Sequence, residues 1–204
     1  MGPTLRIHAF LPFSSANGPG LRAGIWVQGC TLNCPGCFNP ETHTTAGGRD
    51  ISVSELLTSL IALAPLLEGL TLSGGEPLQQ FDAVLALLSQ LQSVTTLSTI
   101  VSTGYTWEEI QKMAKSSELL ACVDVLITGR YDVSNHLGRT LAGSRNKKIQ
   151  FLTNRYTLKD LEEVPETEIF ITSEGKVMVS GIDPLRFNKE VPSQCPILAA
   201  SARR

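Results

Sequence analysis

The amino-acid sequence predicts an α/β fold, an incomplete (β/α) barrel with parallel strands and a small C-terminal β-hairpin appendage. Apolar runs of strand length alternate with amphipathic helical stretches between residues 23 and 152. That order is produced by βαβ units, whose right-handed crossovers set the strands parallel. Only five such runs occur, too few to close an eight-stranded barrel, so an open curved sheet is expected. Near the C-terminus the pattern changes to two alternating runs about a glycine turn, which predicts a hairpin.

The run 23–28 ends at Gly29 and reads as a strand that delivers the next loop at its C-terminal end. Ser52-Val53-Ser54-Glu55 has the spacing of a capping box, and Val53, Leu56, Leu57, Leu60 and Ile61 follow at helical spacing until Pro65. Residues 69–73 read as a strand closed by Gly74-Gly75, and Pro77 suits a first helical position before Leu78, Phe81, Val84, Leu85 and Leu88. Residues 97–102 repeat the plan up to Thr103-Gly104. Thr106-Trp107-Glu108-Glu109 is then a second capping box, opening one helix through about Leu119. Residues 123–128 make a fourth strand, closed by Gly129, and 148–152 a weaker fifth beside Asn146 and two lysines. These special loops all fall at C-terminal strand ends, the edge at which such sheets bind ligands. In the hairpin, 168–172 and 176–180 flank Ser173-Glu174-Gly175, and the alternation of Ile169, Ile171, Val177 and Val179 predicts one face packed on the main sheet. The expected division is a core domain at 1–155 and an extension at 156–204.

A chain of 204 residues with 42% hydrophobic and 18% charged residues can bury a core. A net charge of -2 and a pI near 5.9 leave no basic stripe to neutralise phosphates, which argues against a nucleic-acid partner. Pro3 and Pro12 interrupt the N-terminal stretch that a secretory signal would need, and the longest apolar run, 60–67, is too short to cross a bilayer. Of five cysteines, three are clustered, which reads as a metal site in a reducing compartment and not a disulfide framework, so a cytoplasmic location is expected.

The cluster is Cys30-Thr31-Leu32-Asn33-Cys34-Pro35-Gly36-Cys37. A cuboidal four-iron centre is normally held by four thiolates, so three on one loop leave an iron open, and open coordination positions are where metals do chemistry. Structural zinc would want four ligands, usually in two knuckles. No second knuckle exists here, and His43, His136, Cys122 or Cys195 would have to fold back to complete a site. A ferredoxin would carry its fourth cysteine in a recognisable run. Cys122 reads as a buried core thiol and Cys195 as a tail residue. Ser73-Gly74-Gly75-Glu76-Pro77 reads either as a tight strand-to-helix turn or as a place where backbone approaches a ligand, with Gly75 free to take a positive φ. Glu76 offers a carboxylate to an ammonium group, so an amino-acid moiety beside the cluster would fit.

The cysteine loop followed by Gly74-Gly75-Glu76-Pro77 resembles the radical S-adenosylmethionine (radical SAM) superfamily. Residues 17–22 (Asn-Gly-Pro-Gly-Leu-Arg), 27–30, 34–39 and 102–109 together look like the glycyl-radical enzyme activases, most closely the anaerobic ribonucleoside-triphosphate reductase activating proteins. The resemblance covers about 5–151. It implies a radical SAM core with a 4Fe-4S cluster on Cys30, Cys34 and Cys37, whose open iron chelates S-adenosylmethionine. Reductive cleavage then gives methionine and a 5'-deoxyadenosyl radical, which abstracts hydrogen from a glycine of a partner enzyme. By position Gly74 and Gly75 would line the methionine moiety and Glu76 its ammonium. Gly36 and Phe38 would lie near the adenine, with Thr103 a further contact.

The implied partners are a glycyl-radical enzyme, anaerobic ribonucleotide reductase, and a reducing donor such as flavodoxin. No residue is expected to act as general acid or base, since the cofactor carries the hard step. Phe38 has an alternative as a core aromatic, Arg22 as a solvated or capping residue, and His43 as a surface residue near the site. Where pyruvate formate-lyase activases carry an aromatic before the third cysteine, and an acid and a lysine later on, this chain has Gly36, Thr128 and Arg130. Two other readings stand beside this one. The first is a radical SAM enzyme acting on another glycyl-radical enzyme, a peptide or a small molecule; the second is a non-catalytic iron–sulfur or zinc module.

Overall fold

The computed structural model describes residues 2–37, 39–137, 140–171, 175 and 177–182. The main sheet has seven strands: β1 (Thr4–Ser14), β2 (Arg22–Val27), β3 (Arg49–Ser52), β4 (Gly69–Gly74), β5 (Ser98–Ser102), β6 (Val125–Thr128) and β7 (Lys148–Phe151). Their order is β3-β1-β2-β4-β5-β6-β7. β2, β4, β5 and β6 run parallel, while β1 is antiparallel to β2 and β3, and β7 to β6.

The all-parallel expectation therefore holds for the centre of the sheet and is corrected at its flanks. The weak fifth run is a strand, but it returns directly from β6 and pairs antiparallel. Two strands were not expected at all. β1 alternates, with Leu5 and Ile7 buried. Its prolines obscure the pattern, and Pro12 is tolerated because the β1–β2 register slips between Leu11 and Ser14. β3 is a four-residue edge strand carrying Arg49 and Asp50, charges suited to an edge.

One face of the sheet is apolar and covered by α1 (Val53–Leu63), α2 (Phe81–Val94), α3 (Trp107–Gln111) and α4 (Ser116–Leu120). Ala23, Ile25, Val27, Leu70, Leu72, Val101 and Leu126 point to these helices, meeting Leu56 and Leu60 of α1 and Leu87, Leu88 and Leu91 of α2. Each fully buried leucine contributes about 1.5–3 kcal/mol relative to exposure. Both expected N-caps form: the Glu55 amide donates to Ser52 Oγ at 3.1 Å, and Thr106 with Glu109 makes a reciprocal capping box. The helix expected through Leu119 is instead broken. Lys115 adopts the left-handed conformation at φ +59°, and α4 restarts at Ser116. Serines compete for backbone groups inside helices and favour such starts, and the restart leaves Leu119 fully buried.

The other face carries the alternate residues. Trp26 of β2 lies where a Cβ at Gly24 would be 2.7 Å from its ring. Thr71, Ser73 and Ser102 are polar, and Ile100, Val125 and Ile127 form a small cluster with Ala142 and Leu161 of α5 (Leu158–Glu162). Arg22, read above as solvated or capping, is fully buried here. Its guanidinium donates to Thr71 Oγ1 at 3.0 Å, Ser98 Oγ at 2.8 Å, Tyr156 Oη at 3.1 Å and the Leu70 carbonyl at 2.9 Å. Tyr156 in turn donates to Glu68 at 2.9 Å. Burial pushes the Arg22 pKa down, and Tyr156 and Glu68 support its charge.

The hairpin forms as β8 (Thr167–Ile171) and β9 (Val177–Gly181), but the face expected to pack is the outer one. Ile171 is 73% exposed and Ile169 and Val177 are exposed beside it. The opposite face holds the hairpin to the sheet. Glu168 accepts from Ser14 Oγ and from the Ser15 amide, and Asn17 Nδ2 donates to Ser180 Oγ at 2.8 Å. Among the described residues no helix is long and apolar enough to cross a membrane.

Ile171→Lys is accordingly expected to change stability by no more than about 0.5 kcal/mol, as exposed substitutions do. A loss several times larger in urea denaturation would show that this face is covered. Arg22→Met should cost about 3 kcal/mol in the same assay, because it strands several buried acceptors at roughly 1–3 kcal/mol each. Tyr156→Phe, which removes one hydroxyl, should cost about 1 kcal/mol.

Candidate metal centre and cofactor cleft

The C-terminal ends of β2, β4, β5 and β6 lie side by side, so the loops that leave them form one edge. The cysteine loop leaves β2 through Gly29, at φ +101°. It is tied to its own return segment: the Gly29 amide donates to the Thr42 carbonyl at 2.8 Å and the Cys30 amide to the His43 carbonyl at 3.0 Å. Buried Gln28 reinforces this, its Nε2 donating to the carbonyls of Glu41 and Thr44 at 2.9 and 2.6 Å. Inside the loop the Cys37 amide donates to the Cys34 carbonyl at 3.1 Å, and Asn33 and Gly36 take positive φ.

Cys30, Cys34 and Cys37 are half-buried free thiols lining one cleft together with Gly74, Gly75, Glu76 and Thr103. Burial pushes the Cys30 and Cys37 thiols up, and neighbouring negative charges add to the effect. Three thiolates cannot share this cleft comfortably without cations, which iron supplies. Among the described residues no three His, Cys, Asp or Glu side chains converge on a single ion. A cuboidal cluster does not require that, because each thiolate binds its own iron. The donor set fits the cluster.

The glycine turn sits against the cysteine loop. Gly75 donates to the Val27 carbonyl at 2.8 Å and Glu76 to the Gly29 carbonyl at 2.9 Å. The positive φ expected at Gly75 belongs to Gly74, at +102°. Gly75 is constrained by space instead: a Cβ there would run into the Gly29 carbonyl and lie 3.1 Å from that of Thr42. The Glu76 carboxylate is buried. It accepts from the Leu78 amide at 2.9 Å, Thr103 Oγ1 at 2.7 Å and the Gly104 amide at 2.7 Å. Burial raises its pKa against the pull of these bonds. Glu76 and Thr103 thus clamp the ends of β4 and β5 together as well as lining the cleft.

Other residues fall differently from expectation. Gly36 does not line the cleft; a Cβ on it would meet Val133 at 2.9 Å. Phe38 and Cys195 lie outside the described residues. Cys122 is a buried core thiol, as read, and His43 lines the cleft. Arg130 turns away from the cleft. Its guanidinium grips Glu109 with bonds of 2.7 and 3.0 Å, donates to the Gly104 carbonyl, and stacks 5.1 Å from the Tyr105 ring centroid. Sequence reasoning missed Gln28 and Lys147, both of which matter here. Lys147 lines the cleft from the turn before β7; in the sequence it was only one of two lysines beside a weak strand.

The family described as a 4Fe-4S single cluster domain matches residues 16–150. The chain belongs to that family. It is 33% identical over 144 residues to the anaerobic ribonucleoside-triphosphate reductase-activating protein of Enterobacteria phage T4, covering 68% of this chain and 88% of the phage protein. The Vibrio cholerae protein of the same description is 30% identical over 161 residues, covering 76% and 100%. The pyruvate formate-lyase-activating enzyme of Clostridium pasteurianum is 32% identical over 119 residues. This chain spans half the length of that enzyme, the match covering 56% of the chain and 50% of the enzyme. The activase resemblance carried by the cysteine loop and glycine turn is thereby borne out, and with it a 4Fe-4S cluster.

Because Gly75 abuts the carbonyl one residue before Cys30, Gly75→Val is expected to disturb the cysteine loop as well as the turn. Iron and sulfide per chain after anaerobic reconstitution should fall well below wild type, with helix content by circular dichroism retained. Full cluster loading in that variant would mean that the turn and the loop move independently.

Proposed function

We propose that the protein is a radical SAM activase that reductively cleaves S-adenosylmethionine and installs a glycyl radical on anaerobic ribonucleoside-triphosphate reductase. The observation that carries this reading is the convergence of Cys30, Cys34 and Cys37 with Gly74, Gly75, Glu76 and Thr103 around one cleft at the sheet edge. Cys30, Cys34 and Cys37 would hold the 4Fe-4S cluster and leave one iron open. When bound and reduced, the cluster supplies the electron that splits the sulfonium into methionine and a 5'-deoxyadenosyl radical, which takes hydrogen from the partner's glycine.

The chain's own part is orientation and exclusion of water. Gly74 and Gly75 present bare backbone to the methionine moiety, and Glu76, held by Thr103 and Gly104, places a carboxylate beside its ammonium. Leu32 and Tyr131 supply wall to the cleft. Residues 1–155 make up the radical SAM core, with the sheet as the wall of an incomplete barrel and 156–204 as the extension. The electron donor is of the flavodoxin type and the compartment the cytoplasm, where thiolates stay reduced.

A second partner is favoured by the identity to the pyruvate formate-lyase-activating enzyme, so the test offers both. Reconstituted protein, reduced and given S-adenosylmethionine, should release 5'-deoxyadenosine. With anaerobic ribonucleoside-triphosphate reductase added, it should generate the electron paramagnetic resonance doublet of a glycyl radical. A doublet formed only on pyruvate formate-lyase would transfer the assignment to that partner, and no 5'-deoxyadenosine from fully loaded protein would sink the activase reading.

Cys30→Ala, Cys34→Ala and Cys37→Ala should each abolish the reaction together with the cluster's absorbance, because two thiolates do not close the site. Cys122→Ala should keep both, since that thiol is buried in the core far along the chain from the loop.

A further inference from the structure

Lys147 belongs to none of the motifs that identify the family, yet it is placed as a ligand-binding residue would be. The turn that carries it is fixed by its amide, which donates to the Ser144 carbonyl at 3.1 Å. Its stem crosses the end of β6 at Gly129, where a Cβ would lie 3.6 Å from Lys147 Cα and 3.9 Å from Cγ. The lysine stem thus packs beside Gly129, which its φ of +109° reserves for glycine. It borders the cysteine-lined cleft and also the adjoining polar cavity lined by Asn17, Thr71 and Ser73.

The Lys147 ammonium has three donors and little to give them to. Ser102 Oγ stands at 3.4 Å, and among the described residues no carboxylate comes within 4.0 Å. Burial lowers its pKa, and the negative charges of Glu76, Cys34 and Cys37 oppose that shift. Arg130 is committed to Glu109 and the Gly104 carbonyl. No other Lys or Arg lines the cleft among the described residues.

Resting on the activase reading above, we propose that Lys147 is the anion-recognition residue of the cleft, pairing with the carboxylate of S-adenosylmethionine while Glu76 faces the ammonium. The two charges of the zwitterion are then met by opposite walls, Glu76 on the β4 turn and Lys147 on the approach to β7. Chelation at the open iron and pairing with Lys147 use different lone pairs of a carboxylate, which has about four acceptor sites in all.

The test compares S-adenosylmethionine with its carboxamide analogue, which keeps the shape and removes the negative charge. Binding is measured to the full-length, reconstituted, oxidised protein. Lys147→Met should weaken S-adenosylmethionine about 30-fold, the lower end of what truncating a buried charge pair costs. It should weaken the carboxamide by less than about threefold, so that discrimination between the two collapses in the manner of a double-mutant cycle. Lys147→Arg should recover part of the discrimination, and Lys148→Met, on the exposed neighbour, should change neither affinity. Iron and sulfide content confirms that the variants hold a full cluster. Equal losses for both ligands, or no loss, would overturn the assignment of Lys147. Loaded wild-type protein that binds neither ligand would overturn the activase reading itself.

Discussion

The functional edge of this protein depends on one buried carboxylate. Glu76 receives three protein hydrogen bonds, from the start of its own helical turn and from Thr103 and Gly104 at the end of β5, while its amide holds the Gly29 carbonyl at the root of the cysteine loop. Its side chain thus ties the ends of β4 and β5, and its backbone amide adds the end of β2. An ionised group taken out of water is tolerated only when its lone pairs are satisfied. The bonds that make Glu76 tolerable are the same bonds that set the distance between the glycine turn and the end of β5.

The strands support this arrangement because their two faces do different work. Alternate residues of β2, β4 and β5 send Ala23, Ile25, Val27, Leu70, Leu72 and Val101 under the helices. The intervening positions send Arg22, Trp26, Thr71, Ser73 and Ser102 to the polar side. A sheet buried on both faces would normally read as continuous hydrophobic runs. Here the second face is lined with hydroxyls and a saturated arginine, which keeps a polar cavity open beside the cleft. Gly181 and Ile182, at the end of the hairpin, also line that cavity. The C-terminal segment therefore stands closer to the site than its position outside the recognised motifs suggested.

Several readings failed where a local pattern had two tertiary solutions. Ile169, Ile171, Val177 and Val179 alternate as a packed face would, yet Glu168 and Ser180, one residue out of phase, find partners on Ser14, Ser15 and Asn17. A one-residue change of phase exchanges the two faces of a strand, and the polar anchors decided it. The helix expected through Leu119 had the right periodicity but contained two serines and a position able to go left-handed. Arg22 looked like a surface residue because nothing near it in sequence announces Ser98, Tyr156 or Thr71, its partners 49 to 134 residues away.

By itself the sequence determined the chemistry-bearing loops and the central strands. Cysteine spacing, glycine turns, capping boxes and hydrophobic period are all written within a few residues of one another, over distances at which covalent geometry alone restricts the chain. The family followed from those local signals. What tertiary structure decided was partnership: that Glu76 is a clamp as well as a wall, that Arg130 is spent on Glu109, that Gly75 is held by space and not by φ, and that Lys147 reaches the cleft. Each of these depends on a contact between segments far apart in the chain. Burial and hydrogen-bond satisfaction assign such contacts only when the whole sheet is in place.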